Sequence, residues 1–141
     1  MSERHIELIR RFGDAFNVRD VEAIVALCDP SIEYHTALGT AVGGGVFHGH
    51  DGLRKLFRAI EDVWDELRIE REAIFDLGEH TLVFLAQHGR GRQSGAEVAM
   101  SVAGLVRWRD GLIVYVKGYA RREDALRDLG VSEDELEPIA P

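Results

Sequence analysis

Apolar residues recur at helical spacing from Glu3 to Asn17. Ile6, Leu8, Ile9, Phe12 and Phe16 are separated by Arg and Glu, the pattern of a helix with one buried stripe. Asp20 then offers a side-chain cap for a short second helix carrying Val21, Ile24, Val25 and Leu27. Asp29-Pro30 ends it, because proline lacks an amide proton and biases its predecessor away from helix. From Ser31 to Thr36 the pattern changes to alternation, with Ile32 and Tyr34 on one face of a strand and Glu33 and His35 on the other. The stretch from Ala37 to Phe47 contains Gly39, Gly43, Gly44 and Gly45 and reads as a loop. A third helix runs from His50 or Asp51 to Trp64, burying Leu53, Leu56, Phe57, Ile60, Val63 and Trp64.

The second half is β-rich. Strands are predicted over about Glu66–Leu77, Thr81–Arg92, Glu97–Arg109 and Leu112–Ala120, the last two joined at Asp110-Gly111, a strong hairpin signal. Between Val98 and Trp108 the even positions are Val98, Met100, Val102, Gly104, Val106 and Trp108, which makes that face internal. In the last strand Leu112, Val114, Val116, Gly118 and Ala120 share a face. Gly104 and Gly118 leave inner room for close packing or for a cavity. Arg122 to Leu129 reads as a terminal helix stopped by Gly130. Strands joined by turns, following a helical half, make the class α+β. Residues 1–131 form one domain and 132–141 an acidic tail, expected to fray.

Composition narrows the partners. A net charge of −8 over 141 residues, with no basic cluster, argues against nucleic acid. Cys28 is the only cysteine, which removes disulfides and cysteine-rich zinc sites. No apolar run is long enough to span a bilayer, and the first residues lack a signal-peptide core, so the cytoplasm is the expected location. Gly43-Gly44-Gly45 lacks the Lys-Ser/Thr of a phosphate loop, and no cofactor is implied. His48-Gly49-His50, with His35 and His88, raises a metal reading. Strand parity sends His35 and His88 to the outer face, and no metal is expected.

Three stretches, Arg19-Asp20-Val21-Glu22-Ala23-Ile24, Asp29-Pro30-Ser31-Ile32-Glu33-Tyr34 and Phe47-His48-Gly49-His50-Asp51-Gly52-Leu53-Arg54, resemble the nuclear-transport-factor-2-like superfamily. With Arg90-Gly91-Arg92-Gln93-Ser94-Gly95, Asp110-Gly111, Gly118-Tyr119 and Glu123-Asp124-Ala125-Leu126, the likeness is to its SnoaL-like branch, over about residues 3 to 131. The resemblance implies a cone: a curved antiparallel sheet wrapped around three helices, enclosing a pocket, and often dimerising through the outer sheet face. It also implies reactions to test. A ketosteroid isomerase needs a carboxylate base and an oxyanion hole of a Tyr and a protonated Asp. By the motif correspondence these positions hold Tyr34, Phe12 and Gly104, while Cys28 and Phe57 fall where supporting tyrosines stand. The Asp–Arg–Asp set of the epoxide hydrolases has no counterpart between Val98 and Trp108.

What remains is a short set of polar candidates. The Tyr34 phenol can donate to a carbonyl or enolate oxygen, or can belong to a core tyrosine with its hydroxyl at the rim. His48, near the expected pocket mouth, can exchange protons near neutral pH, or can be a solvated loop residue. Gln87, which shares the parity of Val83 and Leu85, faces inward if the hairpin around Ser94-Gly95 is a two-residue turn. Trp64 and Trp108 can stack on a ring or fill the core. The ligand wall is expected to comprise Phe12, Phe16, Cys28, Leu56, Phe57, Ile60, Gln87, Met100, Val102, Gly104, Val116 and Gly118. Two functions follow: a cofactor-free isomerase, cyclase or lyase acting on a hydrophobic carbonyl compound through Tyr34 and His48, or a non-catalytic module that binds an apolar ligand or a protein partner. An apolar outer face of Phe84, Ala86, Ala99, Ala103, Leu105 and Tyr115 suggests a homodimer.

Overall fold

The computed structural model describes residues 3–37 and 45–141; Gly39, Gly43 and Gly44 of the glycine-rich loop lie outside the described residues. The elements run α1 (Glu3–Asn17), α2 (Val21–Leu27), β1 (Cys28–His35), β2 (Val46–His48), α3 (Gly49–Val63), β3 (Trp64–Asp76), β4 (His80–Gly91), β5 (Glu97–Arg109), β6 (Leu112–Tyr119) and α4 (Arg122–Leu129). Asp20 caps α2 by accepting from the Ala23 amide, and Gly130 closes α4 with the positive φ that favours glycine. The six strands form one open sheet in the order β2-β1-β6-β5-β4-β3. It is mixed rather than wholly antiparallel, because β1 lies parallel to β6. β2 is a short edge strand within the stretch read as loop, and pairs with β1.

The first three helices fill the concave face. Ile24, Leu53, Leu56, Phe57 and Ile60 meet Ile32 of β1, Leu67 of β3 and Val106, Ile113 and Val116 of β5 and β6 in one core. Phe57 sets its ring edge-on to Phe16 at 5.5 Å. His50 fixes the start of α3 by bonding the Cys28 carbonyl at 2.9 Å.

Two bulges break the strand parity read from the pattern. In β6 an extra residue, Val114, lies between the pairs Trp108↔Ile113 and Arg107↔Tyr115. Inside that bulge Ile113, not Leu112 or Val114, is the buried residue. In β3 the extra residue is Glu72, between Arg71↔Leu85 and Ala73↔Phe84.

The outer face differs from expectation. Phe84, Ala103 and Leu105 are buried with Phe75, Tyr119 and Ala125, under Leu126 and Leu129 of α4 and Leu136 beyond it. Three of the six residues that suggested a dimer surface are therefore covered within the chain. The terminal segment does not fray either. After a 3₁₀ turn at Glu133–Glu135, the Ile139 amide donates to the Ile74 carbonyl at 2.7 Å and the Ile74 amide donates to the Ala140 carbonyl at 2.8 Å. Those bonds satisfy the free edge of β3. Further along, Asn17 pairs with both backbone groups of Ile69, and Arg19 donates to the Leu67 carbonyl at 2.6 Å. No helix among the described residues is long and apolar enough to cross a membrane.

Phe57, at 3% exposure, tests this packing. Phe57→Ala is expected to cost about 3–5 kcal/mol, the transfer term of a buried ring plus the cavity it leaves. Denaturant unfolding would show a lower midpoint at unchanged slope; an unchanged midpoint would contradict the assigned face of α3.

Candidate functional site

A cavity of about 110 Å³ lies between α1, α3 and the concave sheet face. Gly13 on α1, Gly104 on β5 and Gly118 on β6 all line it. Its walls are the side chains expected on the helical stripes and inner strand faces, including Phe12, Phe16, Leu56 and Ile60. Four polar residues interrupt them: Tyr34, Thr36, Arg71 and Gln87. No Asp, Glu or His lines the cavity among the described residues.

Tyr34 comes from β1, facing the same way as Ile32, and its ring lies nearly parallel to Phe12 at 6.5 Å. Burial, helped by the nearby Cys28 thiol, pushes its phenol up to about 12. The hydroxyl therefore stays protonated, a donor, through the neutral range. Gln87 comes from β4 on the same face as Val83 and Leu85, and is 8% exposed. Neither the Tyr34 hydroxyl nor the Gln87 amide bonds another described residue.

Arg71 is the residue that the sequence reading missed. It is the third inward position of β3, after Leu67 and Ile69, while Arg68 and Glu70 are exposed on the other face. That shared parity with two apolar neighbours was the available signal. The bulge at Glu72 follows at once, and beyond it Ile74 points inward against Ile9 and Val83 while Phe75 joins the outer cluster. Arg122, at the start of α4, grips the bulge from outside. It bonds the Glu72 carboxylate and donates to the carbonyls of Leu85 at 3.0 Å and Val102 at 3.2 Å. Glu72 thus serves Arg122 and leaves Arg71 without a carboxylate. On the cavity side, Arg71 Nη1 is 3.4 Å from where a Cβ on Gly13 would stand, so the glycine makes room for the guanidinium. Arg71 Nε is buried with no hydrogen-bond partner. The other half-buried arginines, Arg19, Arg54, Arg90 and Arg122, are all bonded.

Of the expected ligand wall, Phe12, Phe16, Leu56, Ile60, Gln87, Val102, Gly104, Val116 and Gly118 line the cavity with Tyr34. Cys28, Phe57 and Met100 do not. Cys28 and Phe57 are buried in the core behind the wall, and burial pushes the Cys28 thiol up to about 12, an inert group. Met100 stands opposite Gln87 towards the β4–β5 hairpin, short of the lining. His48 is a further correction. It ends β2, where strand parity turns its side chain outward, 72% exposed and 3.9 Å from Glu33. Glu33 also bonds His35 at 2.8 Å, and that bond holds its carboxyl below the usual range. Tyr34 and His48 are therefore on opposite faces of the sheet. Trp64 covers Gly89, and Trp108 stacks on His5 and donates to Thr81; neither reaches the cavity. No cluster of three metal-binding side chains occurs among the described residues.

Comparison with known proteins places this architecture. Residues 9–116 match the family model of the SnoaL-like domain. A nuclear-transport-factor-2-like protein of unknown function from Burkholderia pseudomallei superposes with a TM-score of 0.77 at 20% identity, covering 90% of this chain and 97% of its own. TerC, co-crystallised with polyporic acid, gives 0.75 at 22% identity over 90% and 98%. A protein of ketosteroid isomerase-like fold from Catenulispora acidiphila, in complex with trimethylamine, gives 0.71 at 16% identity over 91% and 95%. At these identities the likeness concerns the fold. No curated protein sequence matches.

An unpaired guanidinium in an apolar wall costs stability. Arg71→Met keeps the unbranched apolar stem of the side chain and removes the charged head, so it is expected to stabilise the ligand-free fold by about 1 kcal/mol. Thermal or denaturant unfolding measures it; a destabilised Arg71→Met would mean that the guanidinium has a partner within the protein.

Proposed function

The chain belongs to the SnoaL-like domain family, and on that premise we propose that it binds a small, mainly apolar molecule bearing a carbonyl or similar acceptor oxygen, without transforming it. The observation that carries this reading is the polar inventory of the cavity. Tyr34, Gln87 and Arg71 offer hydrogen-bond donors that no described protein group uses, and the rest of the wall is almost wholly apolar. Buried donors without partners are costly, and a ligand oxygen removes that cost.

The enzyme reading weakens on the same inventory. Donors can polarise a carbonyl and stabilise an enolate, but forming an enolate requires a group that takes a proton. The described lining has no carboxylate or imidazole. Neither Tyr34, raised to about 12, nor an arginine accepts a proton near neutrality. The volume of about 110 Å³ is of the same order as the roughly 150 Å³ of a cavity that takes benzene, so a single ring or a short branched chain is the upper size. The homodimer stays part of the proposal with less behind it: of its apolar face, Ala86, Ala99 and Tyr115 are left uncovered by α4.

Acetophenone, one ring and one carbonyl, is a suitable probe for calorimetry or NMR titration. Tyr34→Phe is expected to weaken its binding by about threefold to tenfold, the value of one hydrogen bond, and His48→Ala to change nothing. Binding should be flat from about pH 5 to about pH 9, because a phenol raised to about 12 holds its proton throughout. The raised value also has a stability consequence. Ionising the phenol is easier in the unfolded chain, at about 10, so this contribution is complete below about pH 10 and is lost as pH climbs towards about 12. Tyr34→Phe should flatten that alkaline loss. A pH limb in binding that His48→Ala abolishes would return the proton-transfer reading.

A further inference from the structure

We infer that the cavity is an anion receptor: its ligand is a ring-sized organic acid whose carboxylate, or an equivalent enolate or phenolate oxygen, pairs with Arg71. The inference rests on the small-molecule reading above and narrows it to a charge class.

Five arginines of the described chain are half-buried: Arg19, Arg54, Arg71, Arg90 and Arg122. Arg19 and Arg122 are half-buried and fully used, on carbonyls in the first case and on Glu72 and two carbonyls in the second. Arg54 and Arg90 are paired with carboxylates. Arg71 is half-buried beside Gly13, lines the cavity between the inner sheet face, α1 and α3, and has a buried Nε with no acceptor among the described residues. A guanidinium remains charged at any pH a protein tolerates. Holding it against an apolar wall requires a counter-charge, and within the described protein none is present. The two carboxylates adjacent in sequence, Glu70 and Glu72, project to the opposite face by strand alternation, and Arg122 holds Glu72 there.

Guanidinium geometry also selects the ligand. Its planar fork matches the two oxygens of a carboxylate, so a bidentate pair is stronger and more directional than a bond to a neutral carbonyl. Tyr34 and Gln87 line the same cavity and can donate to the same head group or to a second oxygen. Phe12, Phe16 and Leu85 supply apolar wall for the body of the molecule. The protein as a whole carries −8, which repels anions at long range. Selective uptake of an anion must therefore come from the local cation.

Benzoate and acetophenone test this, since they share ring and shape and differ in charge. Each is titrated by calorimetry or NMR into the protein and into Arg71→Met, with Arg71→Gln as a second variant. The expected result is benzoate at least tenfold tighter than acetophenone in the parent protein, and the two probes within about threefold of each other in both variants. A cooperative unfolding transition shows independently that the variants are folded. Equal affinity for the two probes in the parent protein would overturn the anion assignment and leave the small-molecule reading standing. Benzoate preference that survives loss of Arg71 would overturn the role of this residue. If neither probe binds, the small-molecule reading fails and the receptor fails with it.

Discussion

The site depends on one extra residue in one strand. Glu72 interrupts the pairing of β3 with β4, and every side chain beyond it changes face. Before the bulge the odd positions Leu67, Ile69 and Arg71 face the helices. After it Ile74 takes over the inner face, and Phe75 is released to the outside, where it packs edge-on with Phe84 at 4.9 Å. Without that shift, Arg71 and Phe75 would compete for the same surface. The bulge lets one strand build two apolar clusters on opposite sides of the sheet and place a cation between them.

Such an irregularity has to be held, because a bulge leaves part of the ladder unpaired. Arg122 supplies the hold by bonding a carboxylate and two carbonyls across three strands while lying over the Phe84 ring at 4.7 Å. The helix that follows covers the outer apolar cluster, so α4 both shields that face and fastens the strand that carries the site. The free edge of β3 is managed in the same economical way. Asn17 and Arg19 from the end of α1 and the Ile139–Ala140 segment occupy its backbone groups at separate points, and the edge offers little to a foreign strand.

Much of this was legible from pattern alone. The α1 and α4 boundaries, the Asp20 cap, the Gly130 stop and the span of β5 follow from periodicity and local chemistry, which act over a few residues. The errors cluster where tertiary contacts override a local period. Leu112 and Val114 were assigned inward because alternation was extended through Val114, whereas the bulge there hands the inner face to Ile113. The outer face reads as open from sequence because nothing local tells that α4 folds back over Phe84 and Leu105. His48 was drawn to the pocket by closeness in sequence to α3, but it sits on an edge strand whose outward face it occupies. Arg71 was readable from its apolar neighbours in β3, yet a charged residue on an apolar face invites the assumption that the face has been misassigned.

Three of the four polar residues of the cavity reach it from different strands: Tyr34 from β1, Arg71 from β3 and Gln87 from β4. No hydrogen bond joins any of these three to another, in contrast to a catalytic triad, whose members fail together. Groups that share no bond can be exchanged one at a time with nearly independent effects. Selection acting on such a wall meets no valley between one specificity and the next, because the shell is held by Arg122, Asn17 and the core rather than by the groups that choose the ligand. A scaffold built this way can drift from one small molecule to another while its folding machinery stays untouched.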